Sequence, residues 1–120
     1  MSEHDQLARA RDSYEAFAAG DRDAIEALFA GDFTFSSPAD PLLDRAGYFE
    51  RCWPNHHNIA GFAIVRLIED GDEVVVTYEA RRADGTSFRN TEVLTFDGDG
   101  RIRRAEVYFG WDLPDDAAEA

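Results

Sequence analysis

Residues 73–97, EVVVTYEARRADGTSFRNTEVLTFD, determine the fold class of this 120-residue chain. Two runs rich in β-branched and aromatic residues flank Asp84-Gly85, a dipeptide typical of hairpin turns. The similar turn sequences Asp70-Gly71-Asp72 and Gly98-Asp99-Gly100 lie on either side. The pattern therefore predicts four antiparallel strands, at residues 59–69, 73–83, 86–97 and 101–109.

The first half of the chain favours helices. Apolar residues at helical spacing predict a helix that ends at Gly20, a second over 21–31 and a third between Asp44 and Pro54. A short strand is expected at 33–37. Helices that pack on one face of an antiparallel sheet make an α+β fold. The residues expected to be largely buried in it are Phe17, Phe29, Phe33, Phe49 and Ile64.

The composition bounds the class of protein. With 44% hydrophobic residues, the chain can form one domain, residues 1–113, with a flexible acidic tail over 114–120. The net charge is −13 and all 12 basic residues are arginine, so neither nucleic acid nor a membrane is an expected partner. The single Cys52 forms no internal disulfide, and no cofactor is expected. Because the N-terminal residues lack an apolar signal segment, we expect a cytoplasmic protein.

The turns decide which side chains share a face of the sheet. If Asp84-Gly85 is a two-residue turn, Glu79 lies opposite Asn90 and close to Glu92. The face predicted to pack against the helices then carries Val75, Thr77, Glu79, Arg81, Phe88, Asn90, Glu92, Leu94, Ala105, Val107 and Phe109. The other face carries Val74, Val76, Tyr78, Arg89, Thr91, Val93, Arg104, Glu106 and Tyr108. Its β-branched and aromatic surface predicts a homodimer through this outer face.

Several stretches resemble the SnoaL-like domains of the nuclear transport factor 2-like superfamily. They are Tyr14–Asp21, Leu28–Pro38, Phe96–Ile102 and Glu106–Phe109. The resemblance implies a conical fold in which three N-terminal helices pack on a curved antiparallel sheet and enclose a pocket. It also implies dimers that form through the convex face. It implies no single activity, because the superfamily holds isomerases, cyclases, hydrolases and noncatalytic binders.

Ketosteroid isomerase, a member of the same superfamily, offers a comparison of individual positions. Ser13 stands where that enzyme has its oxyanion-hole tyrosine, and Ser37 where it has its aspartate base. Glu92 stands where it has its protonated aspartate. Two of the three positions differ, so steroid isomerisation by that mechanism is not expected. The resemblance retains one carboxyl group at a pocket position.

Two carboxylates on the predicted inner face, Glu92 and Glu79, are the candidate catalytic residues. Repulsion and burial raise the pKa of such a pair, and a general acid or base needs a pKa near neutrality. The structural alternative is that Arg81 neutralises Glu79 while Glu92 hydrogen-bonds a helix. If Arg81 reaches Glu92, the site is a plain ion pair. If Arg81 extends into solvent, Glu92 is the best proton-transfer group in the chain.

Aromatic residues with a few polar neighbours are typical of a pocket for a small apolar ligand. The candidate substrate-binding residues are Tyr14, Phe35, Trp53, Thr77, Asn90, Val107 and Phe109. His56 and His57 follow the third helix, where we expect them to be solvated, and no metal-ligand spacing includes them. The sequence thus predicts a SnoaL-like small-molecule-binding protein, with an isomerase, cyclase or hydrolase type of activity through the pocket carboxylate. The alternative is a noncatalytic ligand-binding or dimerisation domain of the same fold.

Overall fold

The computed structural model describes residues 5–114 as three α-helices, one 3₁₀-helix and six strands. In chain order they are α1 (Gln6–Ala19), α2 (Arg22–Leu28), β1 (Phe29–Ser36), β2 (Leu43–Asp44), α3 (Arg45–Arg51), the 3₁₀-helix (Trp53–Asn58), β3 (Ile59–Asp70), β4 (Glu73–Arg82), β5 (Ser87–Phe96) and β6 (Ile102–Leu113). The strands form one sheet in the order β2-β1-β6-β5-β4-β3. The α+β class is therefore confirmed. Except for Pro114, the predicted tail lies outside the described residues.

An aspartate begins each α-helix. The side chains of Asp5, Asp21 and Asp44 each accept a hydrogen bond from the backbone N–H three residues further on. α1 ends at Gly20, whose φ of 70° lies in the left-handed region that favours glycine. The boundaries at Gly20, Asp21 and Asp44 are those that the sequence predicted, and the cap at Asp5 was not predicted. None of the described helices is long and apolar enough to cross a membrane.

Four predicted boundaries are wrong. α2 ends at Leu28 rather than at Gly31, and the first strand begins at Phe29 rather than at Phe33, because Phe29 pairs with Ile102 of β6. Pro54 does not end α3; it lies at the start of the 3₁₀-helix, where its missing N–H leaves no bond unmade. The last strand continues past Phe109 to the end of β6.

The sheet is mixed rather than purely antiparallel. β3 to β6 form the predicted antiparallel meander. β1 joins β6 in parallel, and the two-residue β2 covers the outer edge of β1. α3 and the 3₁₀-helix lie between β1 and β3 in the chain. They pack over the same face of the sheet as α1.

The hairpin between β4 and β5 turns through three residues, Ala83 to Gly85, and not through two. The N–H of Arg82 donates to the carbonyl of Thr86 at 2.7 Å, and the φ of Gly85 is +92°. Tyr78, rather than Glu79, therefore lies opposite Asn90. A shift of one residue sends every β4 side chain to the other face.

The predicted assignment of β4 to the two faces is therefore wrong. Val74, Val76, Tyr78 and Ala80 face the helices and are at most 6% exposed, so the first three cannot form the predicted dimer surface. The β5–β6 pairing is also shifted, by two residues: Glu92 lies opposite Val107 instead of Ala105. An even shift preserves the face, so Asn90, Glu92, Leu94, Ala105, Val107 and Phe109 stay on the inner face as predicted.

The core lies between this inner face and the helices. Phe33 is 1% exposed and stacks on Phe29, with ring centroids 3.9 Å apart. Phe49 is also buried, as predicted. Phe17 and Ile64 are only partly buried and pack at the edge of the core, which corrects their predicted burial.

A bulge in β6 sets the orientation of its last residues. The pairing of β5 with β6 shifts between Arg89 and Asn90, and Gly110 is the extra residue. A Cβ atom at Gly110 would overlap the backbone carbonyl of Arg89. The bulge lets Phe109 face inward while Trp111, two residues later, pairs with Arg89 on the outer face.

Replacing Gly110 by alanine should therefore destabilise the protein by about 1–3 kcal/mol, because the backbone of β5 must move to admit the methyl group. Gly61→Ala is the matched control, since Gly61 also lies beside a register shift but a methyl group there would have no other atom within 4 Å. Urea unfolding of both variants measures the difference. Equal stabilities would contradict the tight approach of β5 to β6.

Candidate functional site

A cavity of about 260 Å³ lies between the inner face of the sheet and the helices. Seven phenylalanines contribute to its wall: Phe17, Phe29, Phe33, Phe35, Phe62, Phe88 and Phe109. Its polar lining residues include Tyr14, Tyr48, Tyr78, Asn90 and Glu92. Among the described residues, no arginine or histidine lines it. The cavity is thus apolar, with a few hydroxyl, amide and carboxyl groups and no cation.

Glu92 projects from the middle of β5 into this cavity. The hydroxyl of Tyr14, on α1, donates a hydrogen bond to its Oε1 at 2.9 Å. Tyr14 is 7% exposed, and its ring is held between Phe62 at 5.3 Å and Tyr78 at 5.2 Å. This aromatic packing fixes the donor to the carboxyl group.

Burial raises the pKa of Glu92 to about 7, and the hydrogen bond from Tyr14 lowers it only in part. Arg81 does not lower the pKa of Glu92, because its side chain is exposed on the outer face near the end of β4. Of the two arrangements considered for Arg81, the solvent-exposed one is therefore found. Near neutral pH the carboxyl group is present in both protonation states, which is the property a general acid–base group needs.

Three buried tyrosines surround the carboxyl group. Desolvation and the charge of Glu92 raise the pKa of Tyr14, Tyr48 and Tyr78 well above the usual value for a phenol. These hydroxyls therefore keep their protons, and that of Tyr14 donates to Glu92.

Asn90 lines the cavity, but its amide already has structural partners. Its Oδ1 accepts the N–H of Gly110 at 3.0 Å, which holds the β6 bulge in place. Its Nδ2 donates to the hydroxyl of Tyr78 at 3.4 Å. The amide therefore positions Phe109 and Tyr78 around the cavity.

The structure brings most predicted site residues to the cavity and separates three of them from it. Phe35, Val107 and Phe109 line it with Tyr14, Asn90 and Glu92. Glu79 lies on the outer face, where Arg89 Nη2 is 2.7 Å from its Oε1, because the three-residue turn reverses the faces of β4. Thr77 lies on the same outer face and bonds the hydroxyl of Thr91 at 2.9 Å.

Trp53 is the third. It is buried, but it packs on Phe17, Phe49 and His56 away from the cavity wall. The rings of His56 and His57 lie with centroids 4.0 Å apart and are tilted by 36°. His57 is exposed as expected, whereas His56 is half-buried beside Trp53, which corrects its expected solvation. Desolvation and the neighbouring His57 lower the pKa of His56.

Tyr48 and Tyr78 are site residues that the sequence does not reveal. A two-residue turn would place Tyr78 on the wrong face, and helical spacing assigns Tyr48 only to the apolar side of α3. Ser13, the position compared with an oxyanion-hole tyrosine, donates its hydroxyl to the carbonyl of Ala10 at 2.7 Å. The hydroxyl that reaches the carboxyl group comes from the next residue, Tyr14.

Cys52 also lines the cavity. Burial and the charge of Asp40 raise the pKa of its thiol to about 11, so it stays uncharged near neutral pH. Asp40 itself is paired with Arg51 Nη2 at 3.0 Å. Within residues 5–114, no three His, Cys, Asp or Glu side chains are grouped to hold a metal ion.

The raised pKa of Glu92 links stability to pH. The folded protein holds this proton up to about pH 7 and the unfolded chain only to about 4.5, so folding takes up a proton between these values. This contribution to the free energy of unfolding is present at low pH and is lost as the pH rises through 7. Relative to Glu92→Gln, the wild type should lose up to about 3 kcal/mol of stability between pH 4.5 and pH 8. Denaturant unfolding at several pH values measures this difference, and a pH-independent difference would contradict the burial of the carboxyl group.

Known proteins share this architecture. A structure of a SnoaL-like protein of unknown function from Burkholderia thailandensis has a TM-score of 0.69 and 24% identity, covering 88% of this chain and 93% of that one. A suggested ketosteroid isomerase from Kribbella flavida has a TM-score of 0.74 and 19% identity over 91% and 82% of the two chains. An NTF2-like protein of unknown function from Cytophaga hutchinsonii has a TM-score of 0.72 and 17% identity over 91% and 93%.

At these identities the solved structures show the fold alone. None of the curated proteins matches this sequence significantly. The family model of the SnoaL-like domain matches residues 10–105, which include both Tyr14 and Glu92. The chain therefore belongs to the SnoaL-like domain family, within the NTF2-like fold.

Proposed function

We propose that this protein binds a small, largely apolar organic molecule in the cavity and moves a proton on it through Glu92. The observation that carries the proposal is the Glu92 carboxyl group, set in an aromatic wall with one hydrogen bond from Tyr14 and no cation beside it. Isomerisation, cyclisation and hydrolysis all include such a proton transfer, and the reaction belongs to one of these types.

The two protonation states of Glu92 have complementary roles. The carboxylate takes a proton from a carbon or oxygen of the ligand, and the resulting acid returns it to another atom. The hydrogen bond from Tyr14 stabilises the carboxylate before the first step and after the second. Asp40, the other carboxylate of the cavity wall, already has Arg51 as its partner and takes no part.

The size and lining of the cavity support a small ligand. Its volume of about 260 Å³ lies just below the roughly 300–1,000 Å³ of pockets for drug-sized molecules. The aromatic wall favours an apolar body. A noncatalytic binder with the same fold remains the alternative, and a cavity without a titratable group would favour it.

Small cyclic ketones in deuterated water test the proposal. 2-Cyclohexenone and 1-indanone carry an acidic C–H next to a carbonyl group, and exchange of that hydrogen is followed by NMR. We expect the wild type to accelerate exchange, and Glu92→Gln to lower the enzymatic rate by roughly 10²–10⁴-fold while the ketone still binds. Glu79→Gln is the matched control, since Glu79 is a carboxylate on the opposite face. Ketones that bind without faster exchange would favour the noncatalytic alternative.

We also propose that a second copy of the chain covers the outer face of the sheet. Ile68, Tyr108 and Trp111 are 49%, 55% and 62% exposed there, next to Val75 and Val93. The same face carries the ion pairs Glu79–Arg89 and Arg104–Glu106. It therefore offers negative and positive groups that can pair with those of a second copy. A two-fold contact brings such a surface onto itself.

Tyr108→Asp should convert this dimer into a monomer, because it places a charge on the apolar surface that the second copy would cover. Leu42→Asp is the control, since Leu42 is 71% exposed in the segment before β2. Sedimentation at tens of micromolar should show a dimer for the wild type and the control only. A wild-type monomer would end this proposal.

A further inference from the structure

The hydroxyl of Tyr48 has no hydrogen-bond partner among the described residues, although the side chain as a whole is buried. Tyr48 is 6% exposed and lines the cavity, yet its hydroxyl makes no hydrogen bond to any described residue. The other two tyrosines of the cavity differ. Tyr14 donates to Glu92, and the hydroxyl oxygen of Tyr78 accepts from Asn90, although its own O–H donates to no described residue.

The ring of Tyr48 cannot carry this hydroxyl out to solvent without disturbing the core. Its centroid lies 5.1 to 5.4 Å from those of Phe29, Phe33, Phe35 and Phe49. Rings packed on this many sides hold one orientation. The hydroxyl therefore stays at the cavity wall, where it is not sealed from small molecules and is available to donate to a partner in the cavity, either water or a ligand.

That partner must accept a proton in a hydrogen bond. Burial and the nearby Glu92 raise the pKa of Tyr48, so its O–H is kept and acts as a donor. The cavity disfavours an anionic ligand, because it is largely apolar, carries the Glu92 carboxyl group and has no arginine or histidine among its described lining residues. What fits is an uncharged molecule with an acceptor oxygen.

We propose that Tyr48 is a ligand-binding residue that donates its O–H to the carbonyl or ether oxygen of a neutral ligand, next to Glu92. The inference rests on the proposed function, and it adds the class of ligand and the residue that selects it. The aromatic wall holds the apolar body, Tyr48 holds the oxygen, and Glu92 faces the atoms beside that oxygen.

Three fluorinated probes of similar shape test this assignment by ¹⁹F NMR titration. 4′-Fluoroacetophenone has an acceptor oxygen, 1-ethyl-4-fluorobenzene has none, and 4-fluorobenzoate is an anion. The wild type should bind the ketone about tenfold more tightly than the hydrocarbon, the usual effect of one hydrogen bond between neutral groups. It should not bind the benzoate.

Tyr48→Phe should bind the ketone and the hydrocarbon about equally, with an unchanged affinity for the hydrocarbon. The melting temperature should change little, because this variant keeps the ring and removes a hydroxyl that bonds to no described residue. Tyr108→Phe, on the exposed outer face, is the control and should keep the tenfold preference.

The outcomes separate this inference from the proposed function. If both neutral probes bind the wild type equally, or if Tyr48→Phe keeps the preference, the role of Tyr48 is wrong and the cavity still binds apolar molecules. If neither neutral probe binds, the proposed function fails, and the role of Tyr48 fails with it.

Discussion

The three-residue turn between β4 and β5 is the constraint on which the rest of the structure depends. Because Gly85 adopts a positive φ and Asp84 caps the turn through Thr86, Tyr78 is brought opposite Asn90. Val74, Val76, Tyr78 and Ala80 then form an apolar wall beneath α1, and Glu79 leaves for the outer face with Arg89. A turn one residue shorter would place two carboxylates in the core and expose the valines.

This arrangement leaves Glu92 as a carboxyl group without a counter-charge. An arginine at its side would have made it a permanent ion pair, stable and chemically inert near neutral pH. A single hydrogen bond from Tyr14 offsets only part of the desolvation, so the two protonation states are close in free energy. The free-energy cost of burying this carboxyl group is offset by the packing of aromatic rings in the core, such as the stacking of Phe29 on Phe33. Core stability and proton transfer therefore depend on the same apolar residues.

Much of this could be predicted from the sequence where local chemistry decides the structure. Asp21 and Asp44 cap helices, Gly20 ends one, and the glycine-containing turns separate the strands. Glu92 lies on the inner face as predicted, although the predicted pairing of β5 with β6 is wrong by two residues. Side chains along a strand alternate between the two faces with a period of two, so a shift of two residues leaves each on the same face. The predicted places of Glu79 and Thr77 are wrong because a single extra turn residue reverses a face. The parallel pairing of β1 with β6 and the inward turn of Tyr48 depend on contacts between distant segments, which no local pattern encodes.

The central claim is that Glu92 titrates near neutrality inside an apolar cavity. The most direct measurement is a ¹³C NMR titration of its side-chain carboxyl carbon, assigned by comparison with Glu92→Gln. The structure predicts a midpoint near pH 7. A midpoint near 4.5, the value of an unperturbed glutamate, would show that the carboxyl group is solvated or paired and would contradict this account.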